Sequence, residues 1–503
     1  MIHSYHDGTK HHFHQFARSL GYLDWASQPA PFRSFHGAPS IPLSPRPGAQ
    51  PTVVGDVLRH ALGLSAWKVW RTSRWSLRVN PSSGNLHPTE AYVVSGSHLY
   101  HYAADHHALE VRCTFDSVWQ DDDFLIALTS IHWREAWKYG ERAFRYCQHD
   151  LGHAIAAVRI AAALAGLRAE MLPDWSHRDI AALTGIDRDE DYVDAEREEP
   201  GCLMAVTSRQ SPVASQSAGA DRDRLLRAVR SGRWTGKASQ LSEAHVQWTF
   251  IDDIARATED PGRSIDAAQS SIQLPDYPIT RLPDRSLLLQ RRSAVALDGR
   301  SSIDAEGFFT ILSRAMPAAG PPWDALWWDA RIHLALFVHR VDGVEPGLYF
   351  VVRNDRAAKA LTEAMARDFL WKRAADHLPL FLLARGDCSR LAERVSCDQE
   401  IAAAGFFSLG MIAEFDASLA ELGPAFYRHL FWESGVVGQV LYLAAEAAGA
   451  RGTGIGCFYD DPVHEVLGLT GHAFQSLYHF TIGIHVEDTR LTTEPGYEWE
   501  RPR

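Results

Sequence analysis

Arg291, Arg292 and Ser293 set two guanidinium forks beside a hydroxyl, a combination suited to a phosphate dianion through charge-assisted hydrogen bonds. Further on, GTGIGCF at 452–458 spaces its glycines so that backbone amides around Gly454, Ile455 and Gly456 can approach a flat ring with no Cβ in the way. Near the other end of the chain, Pro81, Ser82, Ser83, Gly84 and Asn85 offer two hydroxyls and a carboxamide on a sequence that is also a good turn. Each motif taken singly is weak evidence for a ligand. Histidines crowd the first segment (His3, His6, His11, His12, His14), and His149 and His153 stand one helical turn apart. A zinc enzyme of the HEXXH kind needs a glutamate where this chain has Asp150, and no third ligand is suitably spaced. That pair is expected to be a polar helix face, with no metal.

The elements that carry these motifs repeat. One offset of 283 residues carries the stretch from Phe144 onto the stretch from Tyr427 without a gap. Gly140, Gly152, Gly166 and Gly185 fall on Gly423, Gly435, Gly449 and Gly468, Arg145 on Arg428, and Asp150 on Glu433. Ala, Leu and Val recur with helical spacing through 154–164 and 437–448, which predicts a buried helix in each copy. Gly166 and Gly449 then act as C-terminal caps. A short second helix (179–183; 462–467) and a strand (203–207; 478–482) follow. Upstream, PSSGN at 81–85 corresponds to PAAGP at 317–321, each before a strand (91–94; 332–338) and a second, Tyr-containing strand, as in a hairpin.

The two copies have diverged in opposite directions. The second keeps Arg291-Arg292-Ser293 and the late glycine loop, where the first has Met171-Leu172-Pro173-Asp174. The first keeps both serines and Asn85, where the second has Ala318, Ala319 and Pro321. Boundaries are expected at 1–207 for an N-terminal half with an extension over 1–50, 208–285 for a connector with its own helices, and 286–503 for a C-terminal half. A net charge of −12 argues against a nucleic-acid surface. No stretch approaches the roughly 20 apolar residues of a bilayer span, and the N-terminus lacks a signal-peptide core. Six scattered cysteines without a CxxC pair indicate neither a disulfide framework nor zinc, so the cytoplasm is the default compartment.

RVNPSSGNLHPTEAY, the RRS at 291–293 and ESGVVGQVLYLAAEAAGARGTGIG together resemble the FMN-binding nitroreductase superfamily. The similarity is greatest to its SagB-type branch, which includes thiazole and oxazole dehydrogenases of peptide natural-product pathways. The resemblance implies an α+β fold of two nitroreductase-like domains in tandem, forming an intramolecular pseudo-dimer with FMN as cofactor. In the family's dimers the RRS-type segment and late glycine loop come from one subunit and the PSSGN-type segment from the other. One live flavin site per chain is therefore expected, contacted by Arg291, Arg292, Ser293, Gly454, Ile455 and Gly456 from one half and Pro81, Ser82, Ser83 and Asn85 from the other.

The branch also uses an adjacent Lys-Tyr pair for proton transfer, which maps onto Lys138 and Tyr139; the offset places Glu421 and Leu422 opposite them. A lysine in a partly desolvated pocket near other cations is a reasonable base. The same resemblance nominates Arg490 for the phosphate and places Lys10 and His11 near the pocket. Glu433 and Asp150 are expected to be structural, Glu433 at a helix N-terminus. Three readings are open: a flavin dehydrogenase or oxidase of an azoline or related heterocycle, an NAD(P)H-dependent nitro- or ene-type reductase, and a non-catalytic scaffold in a peptide-modifying complex. The expected partners are a small-molecule or peptide substrate, with no nucleic acid and no membrane, on a monomeric pseudo-dimer or a homodimer.

Overall fold

Residues 1–43, 52–116, 123–208, 214–263, 283–365 and 368–501 are described by a computed structural model. The chain divides into two compact units. The N-terminal unit takes Ser19–Ile272, Pro321–Trp327 and Leu491–Arg503, and the C-terminal unit takes Met1–Arg18, Gln273–Gly320 and Trp328–Arg490. Chain order and unit membership therefore differ at both ends and at one short internal segment.

In the N-terminal unit, β-branched and aromatic runs form β1 (Thr89–Ser95), β2 (His98–Ala103), β3 (Ala108–Thr114) and β4 (Phe124–Ser130). After β4 come α1 (His132–Tyr139), α2 (Ala143–Leu164), β5 (Leu167–Met171), α3 (His177–Thr184) and β6 (Glu199–Ser208). The sheet runs β3-β2-β1-β4-β6-β5, with every pairing antiparallel. Every residue of β4 is buried, as a central strand covered on both faces requires. A separate three-stranded sheet joins Leu64–Trp70 and Ser73–Arg78 to Thr492–Pro495.

The C-terminal unit repeats the plan with β7 (Ile332–Val338), β8 (Gly347–Val351), β9 (Leu380–Arg385), β10 (Phe407–Glu414), α4 (Phe415–Leu422), α5 (Phe426–Ala447), β11 (Arg451–Ile455), α6 (Asp460–Leu467) and β12 (Phe474–Gly483). Its sheet order, β9-β8-β7-β10-β12-β11, is the same order strand for strand. The 283-residue offset maps α1, α2 and α3 onto α4, α5 and α6 with identical ends. It fails at the final strand, because the turn after α3 is longer than the turn after α6. Gly166 and Gly449 adopt φ of +81° and +71°, the left-handed geometry that closes a helix at no Cβ penalty. GTGIG, expected to be a loop, is mostly the edge strand β11.

α2 is buried on all sides from Ala143 to Ala163. His149 and His153 are each only 1% exposed, so the solvated polar face expected for them is absent. A helix of small residues lying inside a unit has no solvent side to offer. Among the described residues no cluster of ligand-type side chains could hold a metal ion, and no helix is long and apolar enough to cross a membrane. The segment expected as a connector packs into the N-terminal unit: Leu225, Leu226, Val229 and Ala238 join its core, and Arg233–Trp234 pairs with β3. The connector's opening run at 209–213 and its end near 274–278 lie outside the described residues.

One buried ion network pins this sheet to α1. His101 lies between Glu90 (3.0 Å) and Glu110 (2.9 Å), and Glu90 also receives Arg134 of α1. Burial opposes the charge on His101, but its bonds to Glu110 and Glu90 lift it to about 9. A raised histidine contributes stability that is complete below its unfolded value near 6.5 and lost as pH rises through about 9. His101→Gln is expected to lower stability by about 3–5 kcal/mol, the usual result of breaking a buried pair; calorimetry across roughly pH 7–10 is expected to show an alkaline fall of Tm in the parent protein that is smaller in the variant.

Candidate functional site

β1 and β4 are neighbours with Thr89 opposite Ser130, so the loop entering β1 and the helix leaving β4 emerge at one sheet end. That register places Pro81–Asn85 against α1. Three contacts fix the juxtaposition. Ile131 N–H donates to Pro88 O (2.8 Å), and Arg134 donates to His87 O (2.8 Å) and to the Glu90 carboxylate. Ser82 Oγ accepts His87 N–H at 2.8 Å. Asn85 spends its carboxamide on protein partners, donating to Ser76 O of the Ser73–Arg78 strand (2.9 Å) and meeting His87 Nε2 (3.0 Å). Gly84 has φ of +59° and is exposed, and a Cβ there would come within 2.6 Å of Tyr139 Oη and 3.3 Å of Lys138 Nζ. The two catalytic candidates and the PSSGN turn are thus brought together inside one unit. Lys138 Nζ sits 5.2 Å from the Tyr139 ring centre, and the Tyr139 ring meets Tyr146 edge-on.

Beneath the turn lies a pair of buried carboxyls. Asp150 of α2 accepts Ser83 N–H at 3.0 Å and Ser83 Oγ–H at 3.1 Å. Glu135 of α1 lies 3.5 Å from Ser82 Oγ and is 0% exposed. Burial pushes Asp150 up to about 7, against the bonds from Ser82 and Ser83 that favour its charge. Burial first, then the Asp150 charge, drives Glu135 well above the usual carboxylate range, with Lys138 and Arg134 opposing. The repeat shows what is special here. Glu135 corresponds to Ser418, so its carboxyl belongs to the N-terminal copy alone. Glu433, the counterpart of Asp150, is satisfied by Arg353 (2.6 Å), the amides of Arg331 (2.9 Å) and Ile332 (3.2 Å), and the Trp328 indole (3.2 Å). It sits in the middle of α5, not at a helix N-terminus as expected.

In the C-terminal unit the expected residues converge on Tyr442, which sequence reasoning did not single out. Ser293 Oγ donates to Tyr442 Oη (3.0 Å), Gly454 N–H donates to the same oxygen (2.9 Å), and the Arg291 guanidinium lies 4.9 Å from the Tyr442 ring centre. Ala294 N–H donates to Gly452 O, closing the RRS segment onto β11. Arg291 is 3% exposed, and burial lowers its pKa. Burial raises Glu446, whereas Arg451, Arg291 and Arg292 all act to keep its charge. Three guanidiniums thus act on this carboxylate. Gly454 has a reason besides ligand approach, since any side chain there would run into Tyr478. Ile455 is buried and Gly456 half-buried.

The remaining candidates are placed elsewhere. Arg490, past β12, is exposed and clasped by Asp488 through two 2.8 Å bonds. Lys10 bridges Asp7 (3.2 Å) and Asp461 (3.0 Å), and His11 N–H donates to Asp460. Both tie the first segment to α6.

Two copies of one antiparallel sheet, each wrapped on a buried central helix, define an α+β chain of two nitroreductase-like domains in tandem. No protein-family model matches the sequence, and no curated protein matches it. Among solved structures, a candidate nitroreductase of Anabaena variabilis is 20% identical and superposes with a TM-score of 0.70, over 96% of this chain and 99% of its own. An Escherichia coli microcin synthetase McbBCD complex with truncated pro-MccB17 bound is 16% identical over 50% of this chain and 85% of that one, with a TM-score of 0.31. A candidate nitroreductase of Ralstonia eutropha is 15% identical over 45% and 94%, with a TM-score of 0.29.

Asp150 gives this site a pH signature. A carboxyl raised by burial contributes stability that is complete below its unfolded value near 3.8 and lost as pH rises through about 7. Asp150→Asn keeps an acceptor for Ser83 without the charge. Denaturant melts at roughly pH 5 and pH 8 are expected to show a smaller difference for the variant than for the parent protein.

Proposed function

We propose that this protein is an FMN-dependent oxidoreductase that dehydrogenates an activated C–H, in the manner of SagB-type heterocycle dehydrogenases. In this reading the FMN phosphate is held by Arg291, Arg292 and Ser293, the Gly454–Ile455–Gly456 amides serve the ring, and Pro81, Ser82, Ser83 and Asn85 are the flavin contacts offered by the N-terminal unit. The cation surplus around Glu446 and Tyr442 fits a phosphate dianion. The complementary loss of motifs in the two copies favours a single site. Arg490, engaged with Asp488, is the weakest of the nominated phosphate ligands.

The observation that carries the reading is the gathering of Lys138 and Tyr139 on Gly84, above Glu135 and Asp150. Lys138, Tyr139, Glu135, Ser82 and Ser83 are all replaced in the second copy, by Glu421, Leu422, Ser418, Ala318 and Ala319. A proton-handling set retained in one copy and erased from the other is not needed for the fold, which both copies share. FMN, when bound, supplies the hydride acceptor. With FMN bound, an unprotonated Lys138 Nζ would take the single proton leaving the atom beside the oxidised carbon, a role within the range of general-base catalysis, and Tyr139 Oη would orient the substrate by hydrogen bond. Arg134 holds α1 to the loop, so that the pair keeps its place over Gly84. The substrate class that suits this chemistry is an azoline or related heterocycle, free or carried on a peptide.

Lys138→Ala and Tyr139→Phe are expected to retain bound flavin and to lower turnover of an azoline substrate by about 10²–10⁴-fold. An unchanged rate removes the pair from the mechanism. Arg291→Gln is expected to weaken FMN binding by about tenfold or more, corresponding to the ~1.5–3 kcal/mol of a hydrogen bond to a charged group, as read by fluorescence titration of the apoprotein.

A further inference from the structure

Four of the six cysteines are sealed in the cores. Burial raises the thiols of Cys113 to about 11 and Cys388 to about 12, and holds Cys147 and Cys202 well above their usual value. Such thiols have little thiolate and little access. Cys397 and Cys457 are not sealed in this way: each is partly exposed, and their sulfurs meet at 2.9 Å although 60 positions separate them in the chain. Neither lies in a CxxC motif, so only the fold reveals the pair.

The backbone around them is built to present the two sulfurs to each other. Cys397 and Asp398 both take φ of +56°, a region uncommon for residues with a Cβ. The turn that holds them is fixed from both sides. Gln399 Nε2 donates to Cys457 O (2.9 Å) and to Ser396 O (2.8 Å), Tyr459 Oη donates to Asp398 (3.0 Å), and Tyr459 N–H donates to Val395 O (2.8 Å). These bonds hold the turn to the segment after β11 whatever the oxidation state of the sulfurs. Such partly exposed neighbouring thiols, with a partner in reach to resolve a mixed disulfide, have the features of a redox-responsive site.

We propose that Cys397 and Cys457 form a reversible dithiol–disulfide site whose reaction partner is a low-molecular-weight disulfide. One thiolate attacks the small disulfide, forming a mixed disulfide and releasing one small thiol. The second protein thiolate attacks the mixed disulfide, closing the Cys397–Cys457 bond and releasing the second small thiol. Two electrons pass from the protein to the small molecule, and the two protons lost by the cysteines end on the two released thiols. The bond would fasten the end of the 452–458 run to the 396–399 turn.

The test treats the reduced full-length chain with oxidised glutathione, quenches with acid and an alkylating agent, and reads intact mass and peptide maps. The wild type is expected to lose the mass of two hydrogens, carry no glutathione, and yield one linked peptide pair containing Cys397 and Cys457. Cys397→Ser and Cys457→Ser are each expected to retain one glutathione on the surviving cysteine, released by dithiothreitol. A wild type that carries glutathione on either cysteine without a cross-link, or whose two cysteines both remain alkylatable, overturns the proposal.

Discussion

A carboxylate on a helix with no solvent side is the constraint from which the rest follows. It must meet a cation, collect hydrogen bonds or keep its proton, because an isolated buried charge is too costly to retain. The two copies answer that demand differently at the same position. In the C-terminal unit Glu433 takes Arg353 and a set of neutral donors, and the result is a structural tie between α5 and the start of β7. In the N-terminal unit Asp150 takes the amide and hydroxyl of Ser83 and a bond from Ser82, is raised by burial to about 7, and is joined by the buried Glu135. The turn that carries Ser82 and Ser83 is thereby clamped from below by acids and from above by Lys138 and Tyr139.

The shared plan of the two units shows that one fold can host both solutions. The sheet order and the three helices after the fourth strand are shared, so these belong to folding. The differences that bear on chemistry are hydroxyls, a lysine, a tyrosine and a glutamate in one copy, and an arginine-rich segment closing on Tyr442 in the other. Each set is held by ordinary secondary structure of its own unit.

Much of this was legible in the residues. Glycines at one offset located the C-terminal ends of the long paired helices, because a left-handed glycine closes each of them, but the first eleven residues of each helix, 143–153 and 426–436, were not included. Lys138, Tyr139 and Pro81–Asn85 could be assigned to one copy, and register pairing of Thr89 with Ser130 accounts for their meeting. Glu135 was not legible, since a glutamate in the polar run REAWKYGER reads as a surface residue until α1 is packed. Tyr442 was hidden in an apolar helix where an aromatic is ordinarily core. The buried state of His149 and His153 escaped notice because their spacing matches a solvated stripe equally well. Division into units escaped too, as composition marks the 208–285 stretch as unlike its neighbours but not where its Leu225 and Val229 will pack.

The central claim is a count: two domains, one flavin. Purified protein saturated with FMN, freed of excess and denatured, gives the ratio of released flavin to chain by absorbance. One FMN per chain is expected, with the first copy's lost arginine segment and the second copy's lost serines leaving no second site. Two FMN per chain, or a colourless protein that takes up none, would contradict it.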